Sequence, residues 1–308
     1  VFDGTRIAGP VTITSVLDRS LWLFRQRAPQ YLLITLCTYG VGMLVTGYLY
    51  FSGILDPEKL DPWQGNFLLN PDLLLFLLFV TLPGILSDLA LQQYTSKLVR
   101  NQEIPWYAAL RKAFSVDLLN YICCRLMGSA IMLIVGGIGI FLLIIPVVGW
   151  AAYYLAIVGA YTIVNGLIPA ILVEERKGMF GAMGRNMALS FRQFGVTTVG
   201  SGLGLVVSLA FMISGLILVL LTGLLVQSLL EGNSSLMIEP DASERFFMNL
   251  LVVCMPLLVA IFFTPLASVF YSVLYYGLRS KAEGFHLENR LEQYEEKVKK
   301  ETSARARP

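Results

Sequence analysis

Few residues in this sequence combine a reactive type with a setting that would use it. Asp88, in PGILSDLALQQY, follows Pro83 by five residues inside an apolar stretch, and Arg125 opens a second one. An ionisable residue in such a stretch is by default a functional candidate. Asp88 could take a proton or a cation, cap a kinked helix, or pair with Arg125 or Arg111. It lies near one end of its stretch, where water or an arginine is within reach, so the pairing is favoured. Asp88 and Arg125 are therefore the candidate polar site, and Asp117 reads as a partner for neighbouring bases. Acid–base or nucleophilic chemistry finds no support. The single histidine, His286, lies in a charged tail, and no His-Glu-x-x-His, Ser–His or paired-aspartate arrangement is present. Catalytic residues, metal ligands and cofactors are not expected, and the chain does not read as an enzyme. Cys37, Cys123, Cys124 and Cys254 all fall in apolar stretches and read as small buried hydrophobes rather than disulfide partners.

The elements around these residues follow from the charge distribution. Of 308 residues, 56% are hydrophobic and 14% charged, against about 25% charged in an average soluble domain. Residues 126–173, 193–230 and 246–278 contain no Asp, Glu, Lys or Arg. A membrane span needs roughly 20 apolar residues, and runs of this size are not required by any soluble fold. Six spans are expected: about 31–51, 72–94, 121–145, 148–173, within 195–230 and within 246–277. Pro146 and Gly149 divide the longest run. Residues 1–30 hold no short apolar core with a small-residue cleavage site, so the first span is expected to serve as the uncleaved insertion signal.

Lys and Arg set the orientation. Twenty-one of the 23 lie in the N-terminal segment, the second–third and fourth–fifth connections and the C-terminal tail; only Lys59 and Arg245 lie on the other side. Both termini are thus expected in the cytoplasm, with an even number of spans. The bases are spread along the chain, and nucleic acid is not an expected partner.

The cytoplasmic connections carry a repeated pattern. Leu17, Leu21, Phe24 and Ala28 recur at helical spacing, as do Trp106, Leu110, Phe114 and Leu118, and again Met183, Met187, Phe191 and Phe194. Basic residues accompany each stripe: Arg19 and Arg25, then Arg111 and Lys112, then Arg185 and Arg192. Each segment reads as an amphipathic helix suited to the headgroup region. DRSLWLFRQ at 18–26 also echoes GRNMALSFRQ at 184–193. The expected fold is an all-α integral membrane domain over 1–279, built as three units of interfacial helix plus transmembrane hairpin near 15–94, 104–173 and 182–279. A charged helical tail over 280–308 follows.

Three segments, SVLDRSLWLFRQRAPQYLL, VEERKGMFGAMGRNMALSFRQFG and YYGLRSKAEGFHLE, carry a resemblance. They resemble the bacterial membrane domain found in some glycerophosphoryl diester phosphodiesterases, and its stand-alone six-span relatives of the YciC-like group. In that family the last span typically ends Tyr-x-Asp-Leu-Arg, followed by a basic residue, then Glu-Gly and Leu-Glu. Tyr275, Leu278, Arg279, Lys281, Glu283, Gly284, Leu287 and Glu288 match, whereas Gly277 stands where an acid is usual. The resemblance implies the six-span fold and a bacterial inner membrane or an equivalent internal membrane. It transfers no catalytic residue, and no phosphodiesterase domain lies within these residues.

Leu287, Leu291, Tyr294 and Val298 follow a/d spacing in the tail. Two heptads are too short for an isolated coiled coil, so docking on a partner or on the chain's own cytoplasmic helices is expected. The glycines of the third and fifth spans suit close helix packing. The leading expectation is a non-catalytic scaffold or accessory subunit contacting membrane lipids, other membrane proteins or a second copy of itself. The alternative is a transporter or lipid-handling protein with a cavity between the units. A polar cavity open to one side favours the alternative; a solid glycine-packed bundle favours the scaffold.

Overall fold

The computed structural model describes residues 12–52, 71–145, 147–161, 167–204 and 242–285, together with 206, 213, 217, 221, 287, 291, 294, 295 and 298. Every regular element among them is helical. The order is α1 (Ile13–Phe51), α2 (Pro71–Val99), α3 (Trp106–Ala113), α4 (Val116–Gly139) with a 3-10 turn (Ile140–Ile144), α5 (Val148–Tyr161), α6 (Ile168–Glu175), α7 (Met179–Arg192), α8 (194–204) and α9 (Ala242–Glu283). The fifth expected span is described only to residue 204 as a continuous helix, and most of 205–241 lies outside the described residues.

Helix α1 joins an amphipathic segment to an apolar one across a break at Arg27 (φ −130°, ψ 22°), two residues before Pro29. Proline has no N–H to donate and its ring crowds the carbonyl four residues back, so the turn at 25–28 cannot stay regular. Helix α3 is shorter than the stripe through Leu118 implies. Phe114 leaves the helix (φ −78°, ψ 61°), and Ser115 caps α4 by accepting the Asp117 N–H at 3.2 Å. Asp117 is thus part of a helix cap, receiving the Ser115 hydroxyl, rather than a partner for bases.

Helix α9 packs along α1 and α2, and α3 lies across the end of α2. Polar side chains stitch the long helices: Tyr31 to Thr95 at 3.0 Å, Thr35 to the Ile261 carbonyl at 2.9 Å, and Gln92 to the Ser268 carbonyl at 3.1 Å. Within an apolar bundle such bonds fix register, each worth about 1 kcal/mol or less. Small residues act where expected in α8. A Cβ on Gly204 would stand 2.8 Å from the Tyr271 hydroxyl, and one on Gly200 would stand 3.3 Å from Leu274.

The core concentrates at the end of the bundle where α3, α6, α7 and the C-terminal end of α9 meet. Tyr31, Leu98, Tyr121, Ile171, Tyr275 and Tyr276 are fully buried there. The α4–α5 hairpin is the opposite case. Leu133, Ile134, Ile138, Phe141, Ile144, Val148, Trp150 and Leu155 are exposed. Among the described residues, the stretches Thr14–Leu49 and Val116–Ile144 are long and apolar enough to cross a membrane. In the second, only 11% of the most apolar window is buried. A core helix of a water-soluble protein would be covered; an exposed apolar surface of this size marks a membrane or protein interaction site.

Candidate functional site

Asp88 and Arg125 meet. The Asp88 Oδ2 accepts from Arg125 Nη2 at 2.9 Å and from the Tyr121 hydroxyl at 3.0 Å. Arg125 Nε in turn donates to the Tyr121 oxygen at 2.9 Å. The phenol spends its proton on the carboxylate and its lone pair on the guanidinium, so the three groups form a closed triad. Arg125 and Tyr121 are one helical turn apart, and the guanidinium also lies over the Tyr121 ring, 5.2 Å from its centre. At 1.5 Å per residue, Arg125 sits about 14 Å from the start of α4 and Asp88 about 17 Å from the end of α2. The exposed Arg111 takes no part.

The triad faces a cavity of about 620 Å³, within the range of small-ligand sites. Its walls come from all three expected units: Tyr39, Asp88 and Gln92 from the first, Tyr121, Arg125 and Tyr161 from the second, Thr264, Ser268 and Tyr271 from the third. Leu82, Ile85, Ile122, Leu126, Pro169 and Ala267 supply the apolar lining. Tyr39 and Thr264 close one wall through hydroxyls 3.0 Å apart, and Tyr161 and Tyr271 close another with ring centres 6.2 Å apart. Thr81 of α2 and Leu126 and Ser129 of α4 line the cavity and are also exposed, so the rim lies on the flank between these helices. The Arg125 side chain is 36% exposed and that of Asp88 19%. Of the five guanidinium N–H groups, three remain beyond the two bonds to Asp88 and Tyr121. The arrangement provides a fixed cation paired with a carboxylate, and apolar walls. No nucleophile stands beside a base in it.

A second cluster closes the core end. Glu174, whose side chain is 1% exposed, accepts from Arg100 at 2.7 Å, from the Tyr276 hydroxyl at 2.6 Å and from Ser96. Glu175 accepts from Arg185 Nε at 2.9 Å, Lys177 at 2.8 Å and the Tyr275 hydroxyl at 3.1 Å. Arg185 also reaches Glu283, which pairs with Arg279 at 3.3 Å, and Arg279 lies 4.4 Å from the centre of the Phe285 ring. Burial works against a charged Glu175, but Lys177 and Arg185 outweigh it and hold the carboxyl below its usual range. Burial likewise opposes the Arg185 charge, and Glu283 and Glu175 overcome it and raise that group. The network ties α2, α6, α7 and α9 together. It accounts for Tyr275, Arg279, Glu283 and Gly284 in the C-terminal motif: the first three bond, and Gly284, at φ +72°, takes the left-handed turn that ends α9.

Of the expected basic interfacial residues, Arg25, Arg111, Lys112 and Arg192 are exposed and Arg19 is half-buried. Arg185 differs, being committed to the Glu175–Glu283 network. Helix α7 buries Asn186 and Ser190 together with Ala182, Met183 and Leu189, while Phe180, Met187 and Phe191 are exposed. Leu287, Leu291, Tyr294 and Val298 are exposed and helical in backbone. Cys124 is buried, Cys37 and Cys123 are half-buried, and Cys254 has no described side chain. Sequence reasoning missed Glu174 and Glu175, although an acidic pair ending a 48-residue uncharged run (126–173) was a usable signal. No set of three or more His, Cys, Asp or Glu that could hold a metal occurs among the described residues. No protein-family model, no curated protein and no solved structure matches this chain.

Proposed function

We propose that the chain is a six-span membrane protein of three units, both termini cytoplasmic, that handles a lipid or another amphiphile in the cavity between the units. The observation that carries this is the cavity itself. It is lined by all three units, centred on an Arg–Asp–Tyr triad, and rimmed by residues exposed on the flank between α2 and α4. A rim on an apolar flank admits a molecule from the bilayer, and polar groups deep inside give it an orientation. The exposed apolar α4–α5 hairpin and the 21-to-2 division of bases support membrane insertion and orientation. The proposed fold agrees with the resemblance to the glycerophosphoryl diester phosphodiesterase membrane domain.

The test is thiol reactivity in native membranes, with the four native cysteines replaced by alanine. Ser268→Cys faces the cavity, whereas Ser87→Cys is buried away from it. A small neutral methanethiosulfonate reagent should modify the first and spare the second. Equal inertness at both positions means that the cavity is closed, and the ligand-handling reading then fails.

A second reading, an accessory subunit that docks a partner, is favoured by one observation. The tail row Leu287, Leu291, Tyr294 and Val298 stands exposed at a/d spacing. The two roles are compatible, since the tail lies beyond the ionic network and the cavity within the bundle.

A further inference from the structure

The identity of the ligand follows from how the triad can respond to charge. As it stands, Asp88 and Arg125 neutralise one another. A cation entering the cavity would leave the site with a net positive charge, and arginine cannot shed its proton to relieve it. An anion entering would leave a net negative charge, and Asp88 can relieve that by taking up a proton. A low-dielectric site with one fixed cation and one titratable anion is therefore adaptable to anions only. Exposure agrees: Arg125 presents more of its side chain than Asp88 does and keeps three N–H groups beyond the triad bonds. Among the described residues, the titratable and charged groups facing Asp88 are Arg125 and Tyr121 from α4, Tyr39 from α1, Tyr161 from α5 and Tyr271 from α9, and α6 contributes Pro169 to the lining. Tyrosine hydroxyls are neutral between pH 5 and 8, which leaves Asp88 as the proton acceptor.

We propose that the cavity binds the anionic headgroup of an amphiphile, a phosphate or carboxylate carried on an acyl chain, with Arg125 exchanging Asp88 for the ligand and Asp88 taking up one proton. The proton passes from solvent hydronium to an Asp88 oxygen, one O–H bond replacing another, and no bond of the ligand is made or broken. The acyl chain leaves between α2 and α4, past Leu126 and Ser129. This rests on the cavity reading above and adds ligand charge and proton linkage to it.

Phosphatidylglycerol is a suitable probe, because its phosphodiester charge is constant from pH 5 to 8. Binding of a fluorescent phosphatidylglycerol is measured with the full chain in phosphatidylcholine nanodiscs. Wild type should prefer it to labelled phosphatidylcholine, tightening on acidification by up to about tenfold per pH unit, the limit for one linked proton. Asp88→Asn should bind more tightly than wild type at pH 8 and lose the pH slope. Arg125→Gln leaves Asp88 unpaired and can fail to fold, so the charge-free double variant Asp88→Asn/Arg125→Gln is the decisive one. It should lose the preference by about tenfold or more, the loss expected of a charge-assisted hydrogen bond. A retained preference in the double variant, or a retained pH slope in Asp88→Asn, overturns the proposal. Displacement by millimolar inorganic phosphate would overturn its amphiphile part. Ser268→Cys separates the two levels: a reactive cysteine with an unchanged preference defeats the anion proposal alone, whereas an inert one defeats the cavity reading beneath it.

Discussion

At the scale of single residues, the two ionic clusters differ in what surrounds them. Glu174 is almost completely buried and its partners are all supplied by the protein. Such a charge is tolerable only while paired. Arg100→Ala should therefore destabilise the bundle by about 3–5 kcal/mol, because it strands the carboxylate. Arg100→Ala combined with Glu174→Gln should recover most of that loss. Thermal unfolding in detergent measures both, and two additive losses would show that the pair is not coupled. Glu175 gives a pH signature. Its folded carboxyl lies below the ordinary value of 4.5, so its stabilisation is complete above that value and is lost as pH falls below it. The thermal midpoint should drop on acidification through this window, and Glu175→Gln should flatten that drop. Asp88 was legible in the sequence as an isolated acid, and Arg125 was one of two arginines offered to it. The choice between them, and the part played by Tyr121, depended on how α2 and α4 face each other, which no local pattern encodes.

Among the elements, legibility followed the strength of the local signal. The apolar stretches stood out, and the C-terminal end of α1 and the N-terminal end of α2 fall near the expected limits, whereas α2 runs on to Val99. The stripe through Leu118 failed because a helical period was carried across Ser-Val-Asp at 115–117, where the serine begins a new helix. In α7 the expected stripe divides, Met183 being buried and Met187 and Phe191 exposed, because its orientation relative to the protein is not encoded in the local period. Arg185 and Asn186 face inward because acidic partners and buried space await them, and the aromatic side is left exposed. The C-terminal junction also moves. Residues 280–285 belong to the bundle, since Glu283 pairs with Arg185 and Phe285 is buried under Arg279. Deleting 287–308 should leave stability and membrane insertion unchanged while weakening any partner association through the tail. Deleting 283–308 should lower the thermal midpoint as well. Native-membrane pull-down and unfolding of the two truncations check this, and equal stability would remove Glu283 from the network's account.

For the whole molecule, the arrangement joins a packed polar–aromatic end to a sparsely covered apolar hairpin, with the cavity between. The packed end holds α3, α6 and α7 through buried tyrosines and charges, which suits the side where water and headgroups meet. The exposed Leu, Ile and Phe of the hairpin suit the acyl region. Tyr121 links the packed end to the triad, being buried in the core and bonded to Asp88. The proposed function depends on the bundle being inserted with the basic connections on the inner face. Cysteine accessibility in intact cells tests this most directly, using a membrane-impermeant maleimide and the cysteine-free background. Glu58→Cys and Asp241→Cys should be labelled from outside, whereas Arg111→Cys and Lys281→Cys should be labelled only after the membrane is opened. Protection of both Glu58→Cys and Asp241→Cys in intact cells, with labelling of Arg111→Cys, would contradict it.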